Sequence, residues 1–383
     1  MNIRPFKIAV SEEQLNDLLA RLKLTRVPRS LDAESWDDGA SLAFMERLIS
    51  HWRLGFDWRA QEDRLNSFPQ FIARVGELDV HFVHEKGKGP APMPLVLTHG
   101  WPGSFAEMQE IIPLLSDPAA HGGDASDAFD VVVPSLPGFG FSQAPQHRGV
   151  SSKRVAEMWS ELMTGLGYDR FGAQGGDIGA GVSMWLGRLY PKQMVGLHLN
   201  YIPGGFLPPL GDGSPPITAE EEAFRTRAAS WFATEGAYSA QQSTKPLTLA
   251  YALSDSPVGL AAWIAEKFRT WSDCNGEVER VFTLDQLLTD ISIYWFSGNV
   301  ASTLRIYKEN RSEPLKFNER ERVEPAFGMA LFPAELPTPP RSWVERVFDV
   351  KRWTPMPKGG HFAAMEQPQL LAEEIRAFFR PLR

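Results

Sequence analysis

Apolar residues recur every three to four positions through the first 75 residues, the period of a helix with one buried face. Leu15, Leu18, Leu19 and Leu22 follow Ser11 and Gln14, a capping-box pair. Leu42, Phe44, Met45, Leu48 and Ile49 mark a second such stretch, and residues 58–65 a short third. The aromatics Trp52, Phe56, Trp58 and Phe68 read as the surface that docks this layer onto a core. From residue 71 the period shortens, and residues 72–85 predict two strands around a turn at Gly76. Continuous apolar runs follow at Leu95–Leu97 and Val131–Val133, with a helix-like stretch over 105–115 between them. Such runs, alternating with helices, predict a parallel sheet covered on both faces. The alternation continues with a helix at 153–165, a strand into Gly175, a helix from Gly179 and a strand over 195–200.

At residue 206 the alternation stops. Pro-rich linkers and helical stretches such as Pro257–Trp271 and Thr283–Trp295 occupy 206–312, with no convincing strand. A strand returns over 326–332, then a helix near 341–347, Arg352-Trp353, a Gly-Gly-His loop and an amphipathic helix from Gln369. The pattern predicts an α/β core in two parts, 76–205 and 313–383, with a helical cap over 206–312 inserted through one crossover. Residues 1–75 would be a mainly helical extension packed on both.

Composition narrows the function. With 383 residues, 43% hydrophobic and 22% charged, the chain can bury a large core and a second unit. A net charge of −8 without any basic cluster argues against a nucleic-acid partner. The single cysteine, Cys274, excludes an internal disulfide and a cysteine-based zinc site. GxGxxG, P-loop and HExxH fingerprints are absent, so no cofactor and no metal is expected. Neither a signal-peptide core nor a run of about 20 apolar residues occurs, which predicts a cytoplasmic protein with no membrane partner. The sequon Asn310-Arg311-Ser312 is then a chance match.

The chemistry gathers around Gly175-Gly176-Asp177-Ile178-Gly179. Small residues flanking a central one, between strand and helix, build the turn that lifts a nucleophile above a sheet edge. Here the centre is an aspartate, which competes with the plainer reading of a helix-capping Asp. Thr98-His99-Gly100-Trp101-Pro102-Gly103 follows the strand at 95–97, where that architecture draws one oxyanion-hole amide. The donors would be the amides of Trp101 and Ile178. His361, after the last strand, fits the base; Glu335, after the penultimate strand, fits the acid, with Asp349 less well placed. His81 and His84 fall on opposite faces of a hairpin and are expected at the surface, and His99 as a packed loop residue.

A carboxylate nucleophile suits displacement at saturated carbon. A serine would form an inert ether there, whereas Asp177 would form an ester that water can cleave. Epoxides and alkyl halides are the two substrate classes that this chemistry admits. Epoxide opening also needs a proton donor, and the cap offers Tyr238, Tyr251, Tyr294 and Tyr307.

Together these residues resemble the microsomal-type epoxide hydrolases, which include the insect juvenile hormone epoxide hydrolases and soluble microbial relatives. The resemblance runs through Asp57-Trp58-Arg59, Leu65 to Pro69, His99 to Gly103 and Gly175 to Gly179, then Thr244-Lys245-Pro246 and Ser256 to Ala262. It ends with Tyr307-Lys308-Glu309-Asn310 and Gly359 to Ala364, and so covers nearly the whole chain. It implies an α/β-hydrolase core with an inserted helical cap, Glu335 as acid, His361 as base, and Tyr238 and Tyr307 as donors to the epoxide oxygen. The partners it implies are a small hydrophobic epoxide and water, and it admits a homodimer. The membrane-anchoring N-terminal helix of the mammalian enzymes has no counterpart, so a soluble enzyme is expected. Haloalkane dehalogenases share the core but place Trp after the nucleophile, where this chain has Ile178. A catalytically silent ligand-binding shell would be expected to lose triad members that this chain keeps.

Overall fold

The structure is a computed structural model describing residues 1–383. Its N-terminal extension contains β1 (Ile3–Phe6), α1 (Glu12–Lys23), α2 (Leu42–Leu54) and α3 (Trp58–Leu65). The capping box forms as the sequence implies, Ser11 and Gln14 each accepting from the other's backbone N–H. Trp52 and Trp58 are buried, and the Trp58 ring meets Phe296 edge-on with centroids 4.8 Å apart. Strand β1 was not expected in this helical region. It is too short to show a period, and pairing supplies what the local pattern lacks: it lies antiparallel along β2 (Gln70–Val75).

Beyond that edge come β3 (Leu78–Glu85), β4 (Met93–Thr98), β5 (Phe129–Pro134), β6 (Phe171–Gly175), β7 (Met194–Leu199), β8 (Val323–Leu331) and β9 (Phe348–Pro355). They form one nine-stranded sheet in the order β1-β2-β3-β5-β4-β6-β7-β8-β9. The strands from β5 to β9 run parallel, whereas β1, β2 and β3 are antiparallel to their neighbours. Helices α4 (Ile111–Ser116), α5 (Ser152–Gly165) and α6 (Asp177–Leu189) alternate with the strands. Helix α6 starts at Asp177, two residues before the expected Gly179, because Gly176 alone makes the turn out of β6.

His81 departs from expectation. The hairpin lies inside the sheet, β3 being flanked by β2 and β5, so His81 is fully buried. Its Nδ1 is 2.8 Å from Ser135 Oγ and its Nε2 2.8 Å from Gln70 Oε1. Burial pushes its pKa down to about 3, so the ring is neutral and structural.

The cap consists of α7 (Ala219–Glu235), α8 (Ala237–Thr244), α9 (Pro246–Asp255), α10 (Pro257–Trp271), α11 (Leu284–Ser297) and α12 (Val300–Ser312). The chain then returns through β8, α13 (Arg341–Glu345), β9, α14 (Ala363–Glu366) and α15 (Pro368–Phe379). No helix is long and apolar enough to cross a membrane.

A buried ion pair joins cap to core. Arg346 donates to Glu221 Oε2 at 2.8 Å, with the two side chains 4% and 1% exposed. It also donates to the carbonyls of Pro215 and Pro216, and Glu221 accepts from Ser342 Oγ. Removing one partner strands the other charge in the interior. Arg346→Ala should therefore cost about 3–5 kcal/mol of unfolding free energy, read as a lowered midpoint in urea titration.

Candidate active site

The site lies above the carboxyl ends of the central strands, and it begins where the chain changes direction. From β4 the connections lead one way to β5 and, through α5, back to β6 on the other side. Ligands bind over such a switch point in open α/β sheets. The loop after β4 and the turn after β6 are adjacent there, and their glycines let them close. A Cβ on Gly179 would sit 1.9 Å from the Thr98 carbonyl oxygen, and one on Gly100 2.3 Å from Asp177 Oδ1. Asp177 itself is held at φ +45°, a left-handed conformation that a non-glycine residue adopts at a cost of order 1–3 kcal/mol.

That turn aims the carboxylate between two sets of partners. The Trp101 amide donates to Asp177 Oδ1 at 2.8 Å. Asp177 Oδ2 lies 3.5 Å from His361 Nε2, and His361 Nδ1 lies 2.6 Å from Glu335 Oε1. The Ile178 amide sits in the first turn of α6, where a helix leaves its N–H groups unpaired and favours negative charge. Burial alone would lower the His361 pKa, but the Glu335 and Asp177 carboxylates reverse this and hold it well above its ordinary value. The imidazolium is thus favoured while both acids are charged.

The two partner loops are fastened to one another and to the cap. Ala334 N–H donates to Gly359 O at 3.1 Å, and the Leu336 amide donates to Glu335 Oε1 at 2.7 Å. His361 N–H donates to Trp271 O at 2.9 Å, and Gly359 N–H to Asp273 Oδ2 at 2.8 Å. Trp271 and Asp273 stand at the end of α10, so the cap orients the histidine loop. Nothing in their sequence context marked them. Asp349 lies away from the site, half exposed on β9 beside Lys351.

Two of the four cap tyrosines reach the site. Tyr238 and Tyr307 line a cavity of about 450 Å³ together with Asp177, Ile178, Tyr201 and Trp231. The Trp101 indole stacks on Tyr238 at 5.3 Å and 10° and meets Tyr307 edge-on at 5.9 Å. One residue thereby supplies a backbone donor to Asp177 and a platform for both phenols. The Tyr307 hydroxyl is buried without a hydrogen-bond partner. Burial, with the nearby Asp177 charge, holds both phenols well above their ordinary pKa and so protonated. Tyr251 is 75% exposed on α9, and Tyr294 donates to the Gly103 carbonyl behind the loop after β4. Tyr201 also faces the cavity, its ring 5.4 Å from that of His361. It follows β7 in the core, outside the cap. His99 is buried as expected, its ring nitrogens engaged with the Gly100 carbonyl and the Leu136 amide.

Comparison with known proteins adds independent findings. Residues 3–108 match the family model described as epoxide hydrolase N terminus, and residues 93–203 that of the alpha/beta hydrolase fold. The chain is 39% identical to epoxide hydrolase 1 of Oryctolagus cuniculus, over 98% of this chain and 88% of the relative. The structure of Aspergillus niger epoxide hydrolase superposes with a TM-score of 0.86 at 30% identity, covering 100% of this chain and 97% of that one. That of the juvenile hormone epoxide hydrolase of Bombyx mori gives 0.89 at 28% identity, over 100% and 95%.

Proposed function

Because the chain belongs to the epoxide hydrolase family, we propose that it converts apolar epoxides to vicinal diols through an ester on Asp177. The observation that carries this reading is the carboxylate with one oxygen on the Trp101 amide and the other 3.5 Å from His361 Nε2, in the wall of the cavity that the two tyrosines line.

In the first step Asp177 Oδ2 attacks a ring carbon, and the C–O bond of the epoxide breaks. Tyr238 and Tyr307 bind the departing oxygen and give it a proton, which the His361 imidazolium replaces. Esterification removes the charge of Asp177, one of the two charges that held the imidazolium in place, so His361 becomes a neutral base when one is needed. In the second step His361, oriented by Glu335, takes a proton from water as that water attacks Asp177 Cγ. The tetrahedral oxyanion develops on Oδ1, which already accepts from the Trp101 amide, and the Ile178 amide is the second donor in this reading. Collapse breaks the bond from Cγ to Oδ2 and expels the diol oxygen as an alkoxide, which takes the proton of the hydroxyl that water left on Cγ. The diol departs with the former carboxylate oxygen, Asp177 is a carboxylate again and His361 is protonated. Protons and charge balance over the cycle, and no cofactor is needed.

The apolar substrate class is supported by Trp231 and Phe232, which border both the main cavity and a neighbouring one of about 270 Å³. The test is a single turnover with excess enzyme in oxygen-18 water. The label should enter the Asp177 peptide and not the diol; label in the diol would mean that water attacks the epoxide directly. The tyrosines have their own check in rapid-quench kinetics. Tyr238→Phe combined with Tyr307→Phe should slow alkylation by about 10³-fold, each single change less, with ester hydrolysis little altered. A double variant that alkylates at the wild-type rate would remove them from the mechanism.

A further inference from the structure

Trp263, Lys267 and Trp271 stand one helical turn apart along α10 and so share the face that it turns to α8. The Trp263 indole donates to Gln242 Oε1 at 3.0 Å, and the Trp271 ring lies 5.0 Å from that of Tyr238, tilted by 58°. Lys267, between them, is out of character, for its side chain is only 8% exposed. A leucine or methionine would pack there without the cost of burying an ammonium. The ammonium has one carboxylate partner. Nζ pairs with Glu266 Oε2 at 2.6 Å, and Thr270 Oγ1 donates to Glu266 Oε1 at 2.9 Å, which holds that carboxylate in place.

The same ammonium stands over the Tyr238 ring, 4.9 Å from its centroid, and 5.7 Å from that of Trp271. Tyr307 meets the rings of Trp101 and Tyr238 edge-on at 5.9 and 5.8 Å, but of the two phenols only Tyr238 has a cation over its ring. A cation over a neutral ring is attracted by the ring's quadrupole alone. Once the phenol gives up its proton, the remaining negative charge is shared between Oη and the ring carbons, and the attraction becomes one between full charges. It is then stronger in the transition state than in the ground state, which is the condition for accelerating a step. Tyr238 needs such help, because burial and the Asp177 charge hold its phenol well above its ordinary pKa and make it a reluctant acid. Glu266 adds to that rise, but less than Asp177 does.

We propose that Lys267 makes Tyr238 the acid of the pair, while Tyr307 holds the epoxide oxygen by a hydrogen bond only. The proposal rests on the reading of both tyrosines as donors to that oxygen. As Asp177 Oδ2 closes on the ring carbon, the C–O bond breaks and its electron pair goes to the departing oxygen, which takes the Tyr238 proton. Tyr238 then carries the negative charge beside the ammonium until the His361 imidazolium returns a proton to it. Lys267 does not line the cavity, so it is a positioning residue that acts through the Tyr238 ring. Helix α10 thereby serves both ends of the reaction: the Trp271 carbonyl holds the histidine loop, and Lys267, one turn earlier, attends the acid.

Rapid-quench single turnovers with styrene oxide, followed by intact-protein mass, test this role. Lys267→Met should slow alkylation at saturating substrate by about tenfold or more, with ester hydrolysis and substrate affinity within about threefold of wild type. Lys267→Gln, which can still bond to Glu266 but carries no charge, should show the same loss, and it decides the matter if the methionine variant does not fold. Lys267→Arg, which keeps the charge, should recover most of the rate. A double-mutant cycle separates this role from packing. Lys267→Met should add less than about twofold to the loss in Tyr238→Phe, which has no proton to give, and exert its full effect in Tyr307→Phe. Equal effects in the two backgrounds, an equal fall in both steps, or full alkylation without the charge would overturn the proposal. Alkylation at the wild-type rate in the double tyrosine variant would instead overturn the reading on which it rests.

Discussion

Asp177→Ala should yield no measurable diol from any epoxide, a loss of about 10⁵-fold or more in kcat. The expectation follows from what the carboxylate does that its surroundings cannot replace. The Trp101 amide and His361 remain in the variant, but neither can form a bond to carbon that water later breaks. Circular dichroism should be unchanged, because alanine keeps the Cβ that the turn already accommodates and adds no volume to it. Intact-protein mass after mixing with substrate gives the sharper readout. Wild type should show a transient adduct with the mass of the epoxide, and the variant none. Diol formation persisting in Asp177→Ala would show that water attacks the ring directly.

His361→Gln should separate the two halves of the reaction. In the proposed mechanism the bond to carbon forms with the Asp177 carboxylate and the tyrosines, and His361 only restores the tyrosine proton afterwards, so one equivalent of epoxide is consumed in a burst and the ester persists. Its hydrolysis should slow by about 10³–10⁴-fold, the usual contribution of a general base. The pH dependence of wild type carries the same information. In the free enzyme the Glu335 and Asp177 charges outweigh burial and hold His361 protonated. In the ester the Asp177 charge is gone, and the pKa of His361 falls toward the range in which a neutral ring is available. Ester hydrolysis should therefore rise with pH through the His361 pKa of the ester and be lost on the acid side, whereas alkylation should lack that acid limb. Single-turnover rates measured from pH 5 to 9 would check the sign. A hydrolysis rate independent of pH over that range would mean that another group takes the proton.

Much of this site is visible in the bare sequence, and for an identifiable reason. Asp177, Glu335 and His361 each follow a strand of the parallel sheet, and the continuous apolar character of those strands places the loops at one edge. Local pattern therefore locates these three side chains to within a residue or two. What it misses are features created by pairing and packing. Strand β1 exists because β2 offers it an edge, and His81 is buried because the hairpin continues into the sheet. Trp271 and Asp273 hold the histidine loop from the cap, a contact across about ninety residues of sequence that no local signal encodes. Tyr201 reaches the same cavity from the end of a core strand, a placement that comes from the packing of cap on core and leaves no local signal.

The extension has a mechanical consequence. Its first strand is part of the core sheet, yet its helices grip the cap: Gln14 donates to Phe296 O at 3.2 Å, Arg21 to Asp255 O at 2.8 Å, and His51 Nε2 lies 2.6 Å from Asp285 Oδ1. A single segment thus straps the ceiling of the active site to its floor. Swinging the cap away would break all of these contacts together, so access to the site must come from side-chain and loop motions around a fixed opening. Selectivity then belongs to the dimensions of a doorway rather than to the energetics of a closing jaw. On heating, sheet and ceiling should lose their structure in one transition.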